Sequence, residues 1–245
     1  MVSEKTAYNY LNAGLSDKMD CPRIIRMRPR RSTPKLKIDR HCYEGRTYED
    51  FMRFIADNPD VPVVQMDSVI GNKSGKVLLT MFSQNTNLLL AFLRDHNTAR
   101  SVLDVFNDLY AMFGRENYCR LFPVILTDRG SEFSNPVPIK QDENDELRSL
   151  VFYCNPSAPY QKGGIEVAHE LVRRVLPKGK SFDDLQQEDI DLMLSHINSY
   201  KRGKLNSRSA YQLFNFIYGD DILPKLNIRE IEANDIVLSP KLLKK

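Results

Sequence analysis

Hydrophobic residues follow a strand-like pattern immediately beyond residue 60. Short apolar runs cover residues 61–70, 76–83 and 88–94, and each is shorter than a typical helix. Segments rich in glycine or asparagine, at 71–75 and 84–87, separate these runs. Such segments are typical of tight turns, so the pattern predicts three strands joined by two hairpins.

Helical spacing of apolar residues appears on both sides of these strands. It predicts a helix that begins after Asn97 or Thr98 and ends at Gly114, because Asn and Thr favour helix starts and Gly favours helix ends. Thr47 and Asp50 have the spacing of a capping box for an earlier helix. The full set of further predicted elements comprises helices at 48–56, 166–176, 187–200 and 210–218, strands at 122–127 and 150–154, and a short strand at 235–238.

The order of these elements indicates the fold class. Three antiparallel strands, a helix, a strand, a short strand and then helices are typical of an α/β protein with a mixed sheet. This order fits the ribonuclease-H-like fold, in which the first and fourth strands lie side by side. We therefore expect Asp67, in the first strand, to lie near Asp128, at the end of the fourth.

Composition excludes several classes of protein. The chain has 245 residues, of which 42% are hydrophobic and 27% are charged, and its formal net charge is +3. Its longest apolar runs are shorter than a membrane span, and its N-terminal residues lack the apolar core of a signal peptide, so we expect no membrane association. The four cysteines are scattered without a CxxC pair, which favours a reducing cytoplasm over a disulfide or zinc framework.

Three acidic residues occupy positions where carboxylates can carry chemistry. Asp67 interrupts an apolar strand, Asp128 directly follows another, and Glu166 lies in the first turn of a helix opened by Gly163 and Gly164. Each also has a structural explanation. Asp67 can face outward, Asp128 can cap a turn, and Glu166 can interact with the helix dipole. Together they suit the two Mg²⁺ or Mn²⁺ ions that support phosphodiester transfer.

Four motifs resemble a known family over roughly residues 3–245. They are QMDSVIG, LTDRGSEFSNP, APYQKGGIEVAHELVRRVLPKG and QEDIDLMLSHINSY. Together they resemble the bacterial transposases of the insertion sequence thirty family. The resemblance implies an integrase catalytic core of ribonuclease-H-like fold, with Asp67, Asp128 and Glu166 as a metal-binding catalytic triad. It also implies cleavage at the element's terminal inverted repeats and joining to target DNA, by a homo-oligomer associated with the nucleoid.

The resemblance also suggests a division of the chain. Residues 1–22 would be the remnant of a helical DNA-binding module, and 23–60 a basic linker arm with a short helix. Residues 61–201 would form the catalytic core, and 202–245 a C-terminal helical tail. Because residues 23–40 contain eight Lys and Arg against one Asp, we predict phosphate contacts by Arg28, Arg30 and Arg31; a solvated basic linker is the alternative.

Further basic and acidic residues flank the proposed triad. We predict DNA phosphate contacts by Arg173, Arg174 and Lys178, for which a solvated basic face is the alternative. We also predict such a contact by Lys162, because it precedes a helix start and helix starts favour phosphate. Two other carboxylates, Glu132 and Glu170, compete for the metal role because they lie close to the triad in sequence. A lone histidine, His169, is interpreted as a surface or packing residue.

The sequence departs from the family pattern at three places. Val167 and Ala168 follow the Glu where the family commonly has asparagines, and Lys201-Arg202 and Ser209-Ala210 replace Pro-Arg and Thr-Pro. Two other functions therefore stay open. One is a nuclease that cuts without joining, and the other is a truncated, non-catalytic DNA-binding regulator of transposition.

Overall fold

The computed structural model describes residues 3–12, 40–72 and 75–243. The chain divides into two compact units, Met1–Lys37 and Ile38–Lys245. In the first unit, Glu4–Asn12 forms helix α1. The Ser3 hydroxyl oxygen accepts a hydrogen bond from the Thr6 backbone N–H at 3.2 Å, which satisfies one of the free donors at the start of this helix.

The second unit contains the predicted strands and helices in the predicted order, apart from the short strand at 235–238. Its sheet strands are β1 (Val63–Ile70), β2 (Val77–Ser83), β3 (Leu89–Arg94), β4 (Val124–Thr127) and β5 (Leu150–Tyr153). Its helices are α2 (Tyr48–Asp57), α3 (Ala99–Leu121), α4 (Val137–Lys140), α5 (Gly163–Val175), α6 (Gln187–Ser199), α7 (Ala210–Tyr218) and α8 (Ile222–Lys225). A two-stranded ribbon between α6 and α7 is formed by β6 (Lys201–Arg202) and β7 (Arg208–Ser209).

The five long strands form one mixed sheet in the order β3-β2-β1-β4-β5. The pairs β1–β2 and β2–β3 are antiparallel, whereas β1–β4 and β4–β5 are parallel. The predicted adjacency of the first and fourth strands is confirmed by the register Val64–Ile125 and Gln65–Leu126. This mixed sheet, flanked by helices, is the predicted ribonuclease-H-like arrangement.

Consecutive residues of β4 pack into different cores, because side chains alternate across a strand. Ile125 belongs to the main core, with residues of α3, α5 and α6. Val124 and Leu126 instead pack in a smaller core with Phe51 of α2 and Phe152 of β5. Burial of each such side chain contributes about 1.5–3 kcal/mol relative to exposure. Both faces of β4 are therefore covered, and only its C-terminal end leads to a polar site.

The capping box predicted for α2 is confirmed. The Thr47 hydroxyl oxygen accepts from the Asp50 backbone N–H at 3.2 Å, and the Asp50 carboxylate accepts from the Thr47 N–H at 2.9 Å. Thr98 likewise caps α3. Gly114 leaves the helical conformation as predicted, with φ 70° and ψ 166°, but the chain then resumes a helical path to Leu121. The prediction that the helix ends at Gly114 was therefore incomplete.

The exposed edge of β3 is covered by amide side chains of α6. Asn198 donates to the Leu89 carbonyl at 2.8 Å and accepts from the Leu89 N–H at 2.9 Å. Gln187 accepts from the Leu93 N–H at 2.8 Å and donates to the Ala91 carbonyl at 3.1 Å. An unpaired strand edge is a template for unwanted pairing. The two amide side chains make the hydrogen bonds to the β3 backbone that a sixth strand would otherwise make.

The strand predicted at 235–238 was wrong. The chain forms a 3₁₀ turn at Ala233–Asp235 and then runs extended without a strand partner in the described residues. The Val237 N–H donates instead to Nδ1 of His196 at 3.1 Å. The Ser199 hydroxyl similarly accepts from the Ile231 N–H at 2.8 Å. Side chains of α6 thus take the place of a neighbouring strand.

Across the described residues, no helix combines the length and apolar character that a membrane crossing requires. The boundaries predicted for the linker arm, catalytic core and tail remain predictions.

The edge contacts of α6 lead to a stability prediction. Asn198→Ala leaves both the N–H and the carbonyl of Leu89 unsatisfied in a buried environment. The free energy of unfolding, measured by urea denaturation, should fall by about 3 kcal/mol. Asn144→Ala, at an exposed position, should leave it nearly unchanged. Equal effects of the two substitutions would show that the edge contacts do not stabilise the fold.

Candidate functional site

Asp67 and Asp128 lie at neighbouring positions of two parallel strands. Asp67 belongs to β1, and Asp128 follows Thr127, the last residue of β4. The Thr127 hydroxyl donates to the Met66 carbonyl at 3.2 Å, which ties the two strands together where their pairing stops. The predicted pairing of these strands therefore places the two carboxylates close to each other.

Each carboxylate is oriented by a backbone donor. Oδ1 of Asp67 accepts from the Ser68 N–H at 2.8 Å. Oδ1 of Asp128 accepts from the Gly130 N–H at 2.9 Å, so this residue also has the turn-stabilising role considered as an alternative. The Oδ2 atom of each residue faces a shared position.

The ammonium of Lys162 occupies that shared position. Its Nζ lies 3.4 Å from Oδ2 of Asp67 and 3.4 Å from Oδ2 of Asp128. It also donates to the Met66 carbonyl at 3.2 Å. Lys162 is 5% exposed, so this side chain points into the protein. Its predicted role in contacting DNA phosphate remains a prediction.

Burial is the largest influence on the pKa of Asp67. It raises the pKa of Asp67 above its ordinary value; the Lys162 ammonium opposes this shift, and the Asp128 carboxylate adds to it. Burial also raises the pKa of the neighbouring Cys154 thiol to about 11. This cysteine is therefore protonated at neutral pH in the metal-free protein.

Glu166 is not part of this cluster. It lies in the first turn of α5 and is exposed, with no hydrogen bond or salt bridge to a described residue. Within residues 3–12, 40–72 and 75–243, no three carboxylate, histidine or cysteine side chains lie close enough to hold a metal ion. The structure therefore brings together two of the three predicted triad members, and Glu166 stays exposed in the first turn of α5, where Ile165 and Ala168 are the residues that face the core.

The start of α5 is fixed against the sheet by a buried glutamine. Oε1 of Gln65 accepts from the Ile165 N–H at 2.7 Å. A Cβ at Gly164 would lie 2.6 Å from Cε1 of Phe82 and 3.0 Å from Oε1 of Gln65. Only a glycine allows this approach without displacement of a buried side chain. Sequence reasoning missed Gln65, although a polar residue within an apolar strand was the signal for it.

His169 is a packing residue that supports the backbone at Asp67. The Thr80 hydroxyl donates to the Asp67 carbonyl at 2.9 Å, so its oxygen accepts from Nε2 of His169 at 2.8 Å. Burial lowers the pKa of His169 to about 4, and nearby Lys162 and Arg173 act in the same direction. The imidazole is therefore neutral at physiological pH, with its proton on Nε2.

Glu132, in the loop after Asp128, is held by a network of polar side chains. Its Oε1 accepts from Nδ2 of Asn97 at 3.0 Å. The buried Arg94 donates to Oδ1 of Asn97 at 2.9 Å and to the Ser68 hydroxyl at 3.0 Å. Burial lowers the pKa of Arg94 to about 10, while Glu132 opposes that shift. Glu132 thus links the loop after Asp128 to β1 and β3.

The remaining predicted basic residues have different surroundings. Arg173 donates to the Ile70 carbonyl at 2.9 Å, whereas Arg174 and Lys178 are exposed. The predicted DNA contacts Arg28, Arg30 and Arg31 lie outside the described residues.

A groove with a volume of about 580 Å³ runs along α5. One wall includes Val167, Glu170 and Arg174, and the opposite wall is formed by residues 200–204. Its basic lining residues are Arg174, Lys201, Arg202 and Lys204, and its acidic one is Glu170. Sequence reasoning did not assign a role to the three basic residues of 201–204, although the KRGK run was the available signal.

Comparison with known proteins supports the predicted resemblance. No family model matches the chain. It is 28% identical over 151 residues to an ORF3 protein of Spiroplasma virus SpV1-R8A2 B that is described as an integrase, covering 62% of this chain and 45% of that one. It is 26% identical over 218 residues to a protein of Streptococcus salivarius described as the transposase of element IS1161, covering 86% and 58%. It is 22% identical over 147 residues to transposase InsI of IS30A from Escherichia coli K12, covering 60% and 36%.

These relatives confirm, at low identity, the similarity to transposases and integrases that include insertion sequence thirty members. The chain spans about half the length of the first two. Among solved structures, it matches the catalytic core of BIV integrase with a TM-score of 0.41 and 21% identity, over 64% of this chain and 92% of that one.

The contact of α5 with the sheet predicts a difference between two adjacent glycines. Gly164→Ala should lower the free energy of unfolding by about 1–3 kcal/mol, because Phe82 is buried and cannot move freely. Gly163→Ala is the matched control, since its Cβ would meet no atom within 4 Å. Urea denaturation should show no loss for this control. A Gly164→Ala protein as stable as the control would contradict the close packing of α5.

Proposed function

We propose that the chain carries the catalytic core of a DNA transposase that cuts and joins phosphodiester bonds at the ends of an insertion sequence. The observation that carries this proposal is the Asp67–Asp128 pair, whose Oδ2 atoms share one cation position where two parallel strands stop pairing. The similarity to proteins described as transposases and integrases supports it.

The residues of this pair fit a hard divalent cation. Two carboxylates with their Oδ1 atoms held by backbone donors present the oxygen ligands that Mg²⁺ and Mn²⁺ prefer, and Mg²⁺ needs few protein ligands because it keeps several waters. Asp67 and Asp128 would hold the ion. Glu166 is proposed as a further ligand, which requires the start of α5 to bring it closer to the pair than it lies in this structure. When bound, two such ions activate the attacking oxygen and stabilise the leaving oxygen.

The protein's own contribution is orientation. The Ser68 and Gly130 N–H groups keep one oxygen of each carboxylate occupied, which directs the other toward the site. Thr127 and Thr80 hold the β1 backbone on either side of Asp67. A site held in this way does not need to reorganise during reaction, which lowers the barrier to phosphodiester transfer.

The groove along α5 is proposed as a path for the DNA backbone. Its basic side chains, Arg174, Lys201, Arg202 and Lys204, begin beside the helix start that carries Lys162 and Glu166. Phosphates bind such surfaces with release of counterions. The terminal repeats and the target DNA would be the ligands, and the protein would act on them as a homo-oligomer, as the family resemblance implies.

Catalysis is tested by Asp128→Asn. A carboxylate replaced by an amide loses most of its affinity for a hard cation. Cleavage and joining of a plasmid carrying the DNA that flanks the coding sequence should fall by about 100-fold or more in Mn²⁺. Asp60→Asn, at an exposed position in the loop before β1, should retain both activities. Gel separation of the products also distinguishes a nuclease, which leaves no strand joined to target DNA. Unchanged joining by Asp128→Asn would refute the proposed site.

The DNA path is tested by Lys201→Gln with Lys204→Gln. Both side chains are exposed and line the groove. The slope of log affinity against log salt concentration should decrease by about 2, because each neutralised phosphate contributes about 0.9. The matched control, Lys225→Gln with Lys241→Gln, removes two exposed charges elsewhere. A slope that changes equally in both proteins would place the DNA outside the groove. Arg202 is left intact because it donates to the Asn87 carbonyl at 3.3 Å.

A further inference from the structure

The ammonium of Lys162 lies between the carboxylate oxygens that a bound metal ion would use as ligands. It is at the same 3.4 Å distance from one oxygen of Asp67 and one oxygen of Asp128, and it also contacts the Met66 carbonyl. All three contacts are to oxygen atoms, which are also the preferred ligands of Mg²⁺ and Mn²⁺. A positive charge on this chain therefore already fills the position between the carboxylates.

The segment that carries Lys162 is held on both sides. Before it, Gln161 is buried and its Oε1 accepts from the Asn155 N–H at 2.7 Å. After it, the Ile165 N–H donates to Gln65 of β1 at 2.7 Å. These contacts fix the backbone from which the lysine side chain extends. The position of the ammonium therefore results from the fold and differs from that of a lysine on an exposed loop.

The charges of Asp67 and Asp128 explain why a cation is needed at this site when no metal ion is bound. Two carboxylates that share a partly buried site repel each other, and burial penalises the charged form of Asp67. The two ionised carboxylates together carry a charge of −2, and the ammonium of Lys162 reduces the net charge of the site to −1. Asp128 remains open to solvent, with a side-chain exposure of 46%, compared with 25% for Asp67 and 7% for Lys162. A divalent ion can therefore approach from the Asp128 side, but the Lys162 ammonium repels it and occupies its position.

We propose that Lys162 is an internal counter-ion that stabilises the metal-free site. A divalent cation must displace its ammonium before the cation can bind Asp67 and Asp128. This inference rests on the proposed function, because it concerns the same carboxylate pair. It assigns the lysine a role in setting metal affinity. The metal-free protein would then be stable, and occupancy of the site would depend on the cation concentration.

The first test compares Mn²⁺ affinity by isothermal titration calorimetry in the unaltered protein and in Lys162→Met, which keeps most of the length of the side chain and removes its charge. The variant should bind Mn²⁺ at least about tenfold more tightly, because a nearby repelling charge is gone. Lys225→Met removes an exposed lysine of α8, away from the predicted DNA contacts, and should bind as the unaltered protein does. Lys162→Gln, which keeps a polar donor near the Met66 carbonyl, provides a second comparison if Lys162→Met folds poorly.

The second test measures the metal-free role by thermal denaturation without divalent ions. Lys162→Met should lower the melting temperature, and the loss should shrink in an Asp128→Asn background, where one of the repelling charges is absent. Added Mn²⁺ should restore more of the melting temperature in Lys162→Met than in the unaltered protein.

The outcomes separate this inference from the proposed function. If the unaltered protein binds Mn²⁺ and neither Lys162→Met nor Lys162→Gln binds it more tightly, Lys162 does not compete with metal and the inference is wrong. If the unaltered protein and both Lys162 variants bind no Mn²⁺, the carboxylate pair is not a metal site, and the proposed function is also wrong. In the melting experiment, the unaltered protein, the two single variants and the double variant are compared side by side. Equal losses from Lys162→Met with and without Asp128→Asn would overturn the counter-ion role.

Discussion

The parallel pairing of β1 with β4 is the constraint on which the rest of the site depends. β1 is the central strand of the sheet, with β2 on one side and β4 on the other. A shift of one residue in the β1–β4 register would turn Asp67 to the opposite face of the sheet. Burial on both faces of β4 opposes such a shift, since Ile125 and Leu126 pack into different cores.

Three buried polar side chains use this register. Gln65, Thr80 and Thr127 each lie within an apolar strand, and each hydrogen-bonds to backbone close to the carboxylate pair. Buried polar groups are costly unless they are paired, and here every pairing positions either β1 or the start of α5. Some polar side chains inside the sheet therefore position the carboxylate pair, whereas the apolar side chains around them form the packed core.

Much of this fold could be predicted because its signals are local. Apolar runs, turn residues and the Thr47–Asp50 capping box each act over a few residues, and their predictions were confirmed. The approach of Asp67 to Asp128 was also predictable, although only through the expected strand order. The strand predicted at 235–238 failed because an extended apolar segment becomes a strand only beside a free strand edge. Here α6 supplies the hydrogen-bonding partners.

The direction of the side chains around α5 was not predictable from the sequence. The spacing of Lys162 and Glu166 allows both to face the carboxylate pair, and only the packing of Ile165 and Ala168 decides which side of the helix faces inward. The same holds for the edge of β3, where Gln187 and Asn198 replace a strand. Their positions in α6 fit any polar helix face, and their role appears only when the sheet is in place.

The departures from the family pattern can now be placed in the structure. Ala168 is buried in the main core, so a small apolar residue suits its position, and Ser209 caps α7 by accepting from the Gln212 N–H at 3.1 Å. Val167 and Lys201 line the groove along α5. These substitutions therefore affect helix packing or the groove surface, while the Asp67–Asp128 pair keeps its backbone donors. Their consequences for the proposed transposase should lie in its contacts with DNA more than in its binding of metal.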